Sequence, residues 1–290
     1  MRKIICAFCQ FQSVKIIFRK GRFELYKCRN CGLAFVNPVP NSNELKKFYS
    51  KNYFKNTSKN FKGYEDYNQL KEVLAKEATR KITFIRKYTQ KKDLLDVGCG
   101  LGGFIKVAQK NGFKVSGNDI SDFAIKKVSK DMKIPFYPGP ISEKVLPKSR
   151  FEIITAWDVL EHIPQISDAI KAISNSLKKD GLLFLTTPDL DSWDSRVFGR
   201  FWYGYKKIPE HLIIFSSKSI RKILEDSGLE MLDIKMWGFV RDFKFVSQKL
   251  SLYSPLLGKI LIFILKVFKL ERKSIYLPLT DMMVIARKNE

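Results

Sequence analysis

Acidic residues are scarce in this 290-residue chain: 29 Asp and Glu stand against 53 Lys and Arg, leaving a formal net charge of +24. Such a field favours anionic partners, whether nucleic acid, anionic lipid or phosphorylated substrate. The plain alternative is lysines spread over solvated faces, since they occur throughout the chain. Histidine occurs only twice, at His162 and His211. There are five cysteines, four of them in two C-x2-C pairs near the N-terminus, which excludes an extracellular disulfide framework. No uninterrupted apolar stretch approaches the roughly 20 residues of a membrane-spanning helix. The start, Met1-Arg2-Lys3-Ile4-Ile5-Cys6, has too short an apolar run for a signal peptide. The expectation is a cytoplasmic protein. With 45% apolar residues it can bury a substantial core.

Cys6-x2-Cys9-x18-Cys28-x2-Cys31 brackets two strand-like runs, Val14–Arg19 and Arg22–Lys27, joined at Lys20-Gly21. Four thiolates in two turns suit tetrahedral structural zinc in a ribbon, and leave no open position for water on the metal. A module this small buries little core, so metal would supply much of its stability. Residues 1–37 are therefore expected to form a zinc ribbon. Residues 38–91 follow as a linker and helical extension. Asn37-Pro38-Val39-Pro40 is rigid, Ser42 could cap a short helix to about Ser50, and 51–63 read as irregular. Tyr67, Leu70, Leu74, Ala78, Ile82 and Ile85 recur at helical spacing.

From about Lys92 strands alternate with helices. Leu94–Val97, Phe113–Asn118, Ile134–Tyr137, Phe151–Trp157 and Gly181–Thr186 read as strands, and Met231–Met236 and Met282–Ala286 as the last two. Such alternation implies a mostly parallel sheet covered on both faces by helices.

The sharpest motif is Asp96-Val97-Gly98-Cys99-Gly100-Leu101-Gly102, a strand running through an acid into glycines and then a helix. Glycines allow a tight bend and close backbone approach, and the helix start offers free N–H groups. Asp119, at the end of the next strand, stands where an acid can accept both ribose hydroxyl hydrogen bonds. Further on lies Trp157-Asp158-Val159-Leu160-Glu161-His162-Ile163, at the carboxyl end of the fourth strand.

Together these segments resemble the class I S-adenosylmethionine (SAM) dependent methyltransferases. The similarity is to a bacterial group that includes quinone-biosynthesis-like and sugar C-methylating enzymes, and it covers roughly residues 92–237. It implies an α/β, Rossmann-like sheet of seven strands, mostly parallel with an antiparallel last strand, behind the small N-terminal zinc ribbon. The methyltransferase domain would span 92–290. It also implies a SAM site drawing on Asp96, Gly98, Cys99, Gly100, Gly102, Asp119, Ile120, Trp157 and Asp158. The segment Tyr26–Pro38 resembles zinc domains fused to some sugar C-methyltransferases. Family members often carry an acid near the adenine after strand three, where this chain has Pro138-Gly139-Pro140.

On the acceptor side, the resemblance to sugar C-methyltransferases implies a Glu-His pair acting as base and helper, here Glu210 and His211. His162 either joins them or organises the site. Trp193, Phe198, Phe201, Trp202, Tyr203 and Tyr205 crowd the same connection and are expected either to lie over an apolar or planar acceptor or to pack a core. Tyr205 completes the candidate catalytic set.

Between the last two strands about forty residues intervene, roughly 239–278. Within them Leu256–Lys269 is intensely apolar, with Lys259, Lys266, Lys269 and Lys273 toward one face. That pattern suits contact with an anionic membrane across 256–273, a cover over the acceptor pocket, or a core or dimer helix. The expected reaction is methyl transfer to a small-molecule, sugar-nucleotide, glycan or lipid-linked acceptor. An RNA methyltransferase using the ribbon and basic surface is the alternative, although the Asn/Asp-Pro-Pro-Tyr/Phe motif of amino-directed base methylases is missing. A non-catalytic SAM-binding scaffold is the third reading.

Overall fold

The structure, a computed structural model, describes residues 4–41, Glu44, 71–251, 254–271 and 273–289. The expected helix from Ser42 to Ser50 and the irregular stretch 51–63 lie outside the described residues, apart from Glu44.

Two sheets make the framework. The larger has seven strands: β4 (Asp93–Val97), β5 (Lys114–Asp119), β6 (Phe136–Pro138), β7 (Phe151–Trp157), β8 (Leu177–Pro188), β10 (Leu229–Asp242) and β11 (Ser274–Lys288). Their spatial order is β10-β11-β8-β7-β4-β5-β6. The pairs β4–β5, β4–β7, β5–β6 and β7–β8 are parallel, whereas β11 runs antiparallel to both β8 and β10. This is the mixed α/β Rossmann-like sheet expected of the class.

Its interior strands carry apolar residues on both faces, as a sheet covered on two sides requires. Leu94, Ile153, Phe184 and Ile285 point to one core, shared with helices α1 (Lys71–Arg86), α2 (Gly103–Lys110) and α3 (Asp122–Asp131). Leu95, Ile154, Leu183, Leu185 and Val284 point to the other, shared with α4 (Ile166–Ser176) and α7 (Ser217–Glu225). Between these lie the short helices α5 (Trp193–Phe198) and α6 (Tyr203–Lys206).

The second sheet joins the N-terminal ribbon to the larger domain. Strands β1 (Val14–Lys20), β2 (Phe23–Cys28) and β3 (Ala34–Asn37) form the ribbon, and β9 (Ile213–Ile214) adds a fourth strand from the larger domain. Ala34 pairs with Ile214 and Phe35 with Ile213, while Val36 N–H donates to the Leu212 carbonyl at 2.8 Å. Cys6, Cys28, Cys31, Leu33 and Phe35 belong to the same buried core as α4 and α7. The ribbon is thus built into the larger domain.

The segment expected to cover the acceptor divides in two. Trp202 is fully buried with Leu25, Val36 and Ile214, its Nε1–H donating to Asp194 Oδ2 at 2.9 Å. Tyr205 stacks on Phe18 of the ribbon with ring centroids 4.9 Å apart. Trp193, Phe198 and Phe201 are exposed. Trp202 and Tyr205 therefore bind the ribbon to the domain, because a buried indole fills the space between two sheets better than it roofs a wet cleft.

Strands β10 and β11 run well beyond the expected Met231–Met236 and Met282–Ala286. Only Asp281–Arg287 of β11 pairs with β8. The earlier part, from Ser274 to Leu277, pairs with Phe239–Asp242 alone, so a two-stranded arm leaves the sheet. It carries a helical hairpin, α8 (Phe243–Ser251) and α9 (Pro255–Val267). Asp242 Oδ1 accepts the Phe245 N–H at 2.8 Å, Ser254 caps α9, and Pro255 occupies its first turn.

Candidate active site

A cleft of about 170 Å³ opens at the carboxyl ends of β4 and β7, where the order of connections reverses. Its floor includes Asp96, Gly98, Cys99, Gly100, Trp157, Asp158 and Thr186, and its roof comes from α1 and the β10–β11 arm.

The floor depends on a bend that only glycine tolerates at its first turn. Gly98 has φ of 70°, and a Cβ there would lie 2.4 Å from Val159. Cys99 N–H donates to the Asn118 carbonyl at 2.9 Å, tying the bend to β5. Asp119 closes it: Oδ2 accepts the Gly100 N–H and Oδ1 the Ser121 N–H, each at 2.8 Å. Burial raises the Asp119 carboxyl above its ordinary range. Each oxygen keeps a second lone pair for a ligand hydroxyl. Beside it Ile120 is 58% exposed, an apolar surface at the rim where a planar ring could rest. Gly102, Asp119 and Ile120 do not line the cleft itself; Gly102 is the N-cap of α2.

Asp96 is buried, accepting from Thr155 Oγ1 at 2.6 Å, and burial pushes its carboxyl up to about 7. Lys81 of α1 lies over the Trp157 ring at 4.5 Å. Trp157 Nε1 is buried with no hydrogen-bond partner among the described residues, a donor available to a ligand. These orphaned and half-used groups, around a bend with glycine-only clearance, fit an adenosyl ligand with a cationic amino acid tail. In the roof, Trp237 Nε1 donates to Glu77 Oε1 at 3.1 Å and the Val240 N–H to Oε2 at 3.2 Å. Arg80 adds a 2.8 Å ion pair to Glu77 and stacks over Trp237 at 3.7 Å.

Next to the cleft sits a group that spans fifty residues of chain, with Glu161 and His211 buried and His162 half-buried. Glu161, His162 and His211 offer ligand or proton-transfer atoms all within 4.8 Å of one another. The two imidazole rings meet edge to face at 4.9 Å. His162 Nδ1 lies 2.8 Å from the Glu210 carbonyl. A carbonyl only accepts, so Nδ1 carries the proton and the lone pair rests on Nε2. Burial lowers the pKa of both histidines, that of His211 well below its ordinary value, with His162 adding to the effect. Burial, reinforced by Asp158, drives Glu161 well above the usual carboxylate range. Thr187 Oγ1 donates to Glu161 at 3.1 Å, while the neighbouring Thr186, which lines the cleft, donates to Asp158 at 2.8 Å.

The expected partnership of His211 with the Glu210 carboxylate takes a different form. The Glu210 carboxylate lies 3.8 Å from Lys207, and its backbone carbonyl serves His162. The carboxyl grouped with both histidines is Glu161. Tyr205 is in the ribbon contact, and burial raises its phenol. Neither histidine, nor Glu210 nor Tyr205, lines the cleft. Sequence pattern does not mark Glu77, Lys81, Trp237, Arg241 or Asp281 as cleft residues. Glu77 and Lys81, four apart on the buried side of α1 with Ala78 and Ile82, are the one sign of it in the sequence.

At the ribbon, Cys6 and Cys31 sulfurs are 3.7 Å apart and Cys9 and Cys28 sulfurs 3.6 Å. Four ligands about 2.3 Å from a tetrahedral zinc sit about 3.8 Å from each other. Backbone N–H groups of Phe8 and Cys9 point at Cys6, and those of Asn30 and Cys31 at Cys28. Such donors stabilise thiolates, and the donor set fits zinc.

Comparison with known proteins agrees with this geometry. A family model described as a methyltransferase domain matches residues 69–234, and the chain belongs to that family, among the class I SAM-dependent methyltransferases. The ubiquinone biosynthesis O-methyltransferase of Coxiella burnetii is 33% identical over 155 residues, covering 49% of this chain and 65% of that protein. The chain therefore matches less than two thirds of that relative's length. An uncharacterized protein of Haemophilus influenzae is 30% identical over 105 residues, covering 33% of this chain and 41% of that one. A SAM-dependent methyltransferase from Archaeoglobus fulgidus superposes with a TM-score of 0.50 at 18% identity, covering 77% of this chain and 100% of the other. The YcgJ protein of Bacillus subtilis does so with 0.51 at 16%, covering 73% and 99%. At such identities the superpositions speak for the fold. Among the described residues, no helix is long and apolar enough to cross a membrane.

Proposed function

We propose that the protein transfers a methyl group from SAM to a nucleophile on a small-molecule, glycan or lipid-linked acceptor, with the buried Glu161–His162–His211 group handling the acceptor's proton. The observation that carries this reading is a pair of imidazoles, their pKa values lowered by burial, grouped within 4.8 Å of Glu161 and directly after the β7 strand end whose Trp157 and Asp158 line the cleft. Asp119 would take the ribose hydroxyls, the Gly98–Gly102 bend would face the amino acid portion, and Ile120 would lie against the base. SAM supplies a methyl group on a sulfonium, ready for direct displacement. His162, fixed by the Glu210 carbonyl, presents Nε2 as proton acceptor, and Glu161 lies within 4.8 Å of both histidines. The names of the ubiquinone-biosynthesis relatives favour an oxygen nucleophile. Zinc in the four-cysteine ribbon would be structural, since all four positions are taken by sulfur.

The RNA alternative finds less support: the cleft is narrow and walled by Trp157, Trp237 and Phe239. The test is incubation with methyl-labelled SAM and cell extract fractionated into water-soluble small molecules, lipids and RNA. Label in either of the first two fractions, lost in His162→Gln, is expected. Label confined to RNA would overturn the acceptor class.

A further inference from the structure

The helical hairpin presents its apolar side to solvent. In α9, Gly258 and Leu265 are buried, and a Cβ at Gly258 would overlap Ser251 of α8, so that side is fixed against its neighbour. At 100° per residue, the side opposite is Leu256, Ile260, Phe263 and Val267. All four are between 47% and 69% exposed, and Leu257, Ile264 and Phe268 extend the patch. A solvent-facing line of aliphatic and aromatic residues is the reverse of a surface helix in water. Lys259 and Lys266 flank the line, and Lys269 follows at the helix end. None of the three makes an ion pair among the described residues.

We propose that α9 docks on the surface of an anionic lipid bilayer, with Leu256, Ile260, Phe263 and Val267 entering the acyl boundary and Lys259, Lys266 and Lys269 meeting lipid phosphates. Thirteen residues span about 20 Å, short of the roughly 30 Å hydrocarbon core, so the helix lies in the interface. Charge selects this occupant over a second copy of the chain. Face-to-face pairing of two α9 helices would bring the same lysines together on molecules of charge +24, whereas an anionic leaflet neutralises them. The arm that carries the hairpin is the strand pair whose Phe239, Arg241 and Asp281 line the cleft. Docking therefore holds the roof of the cleft at the lipid surface. The acceptor it then serves is lipid-borne, an extension that rests on the methyltransferase reading.

Co-sedimentation of the full chain with vesicles tests docking without any methyl transfer. Vesicles of phosphatidylcholine with phosphatidylglycerol should bind the protein at low salt, and pure phosphatidylcholine vesicles far less. Lys259→Ala and Lys266→Ala should each weaken binding about fivefold. The double variant Phe263→Asp, Val267→Asp should abolish it. Calorimetric SAM binding should be unchanged in all of these, which shows that they fold. Absence of vesicle binding by wild-type protein that binds SAM would overturn docking. So would a dimer in light scattering that Phe263→Asp dissociates while vesicle binding stays unaltered. Failure of SAM binding with vesicle binding intact would instead strike the methyltransferase reading.

Discussion

The N-terminal ribbon and the C-terminal hairpin are both additions to one seven-stranded sheet, yet one turns its apolar side chains inward and the other outward. The ribbon shares a core with α4 and α7, contributes three strands to a sheet closed by β9, and seats Trp202 where no solvent reaches it. The hairpin touches the domain through a two-stranded arm and leaves Phe263 68% exposed. Both segments are apolar, and both are near cysteine or lysine clusters that suggest a separate module. The difference lies in what completes them: internal packing and a proposed metal in the first case, a surface outside the molecule in the second.

Breaking the ribbon should have the largest effect. Zinc binding by small cysteine-ligated modules carries on the order of 10 kcal/mol. Chelation, or Cys28→Ser, is therefore expected to release the ribbon and lower the melting temperature sharply, as read by calorimetry with zinc quantified in parallel. A melting temperature indifferent to chelation would remove the metal from the account. Next comes Trp202→Ala, expected to cost about 3–5 kcal/mol in denaturant unfolding, against a change within about 0.5 kcal/mol for Phe263→Ala. Equal costs would erase the contrast between the two attachments.

Neither attachment should govern proton transfer. His162→Gln is expected to lower kcat by about 10²-fold or more with SAM affinity kept, and Glu210→Gln to do much less, because the group that holds His162 is the backbone carbonyl, which that substitution leaves in place. A large loss from Glu210→Gln alone would return the base to the Glu210–His211 pair. The smallest effect is a pH dependence. Burial raises Asp96 to about 7, so the folded chain retains a proton that the unfolded chain gives up. Its contribution to stability is fully present below about pH 4 and is lost as pH rises through about 7. A cationic ligand prefers the ionised form, so SAM affinity should strengthen by up to tenfold per unit as pH climbs toward about 7. Asp96→Asn should flatten that profile in titration calorimetry.

Much of the catalytic sheet was legible from residue order. The Asp96–Gly102 bend, the acid at Asp119 and the alternating strands are local patterns, each set by a few neighbours. The parts that escaped are made by distant partners. Two residues, Ile213 and Ile214, are too short to read as a strand, and form one only because β3 offers an edge. Glu161 and His211 meet across fifty positions, a juxtaposition that adjacency in the sequence, which sets Glu210 beside His211, does not show. The roof of the cleft combines α1 with an arm from the far end of the chain, which no window of sequence contains.

The pairing of Ala34 with Ile214 also imposes an order in time. Those residues are separated by 180 positions, so as the chain emerges from the ribosome the four cysteines are available long before β9 exists. A metal could fold the knuckles at once, but the outer edge of β3 would stay bare until most of the catalytic sheet had been translated. Completion of the ribbon's sheet thus waits until the first five strands of the large sheet have been made.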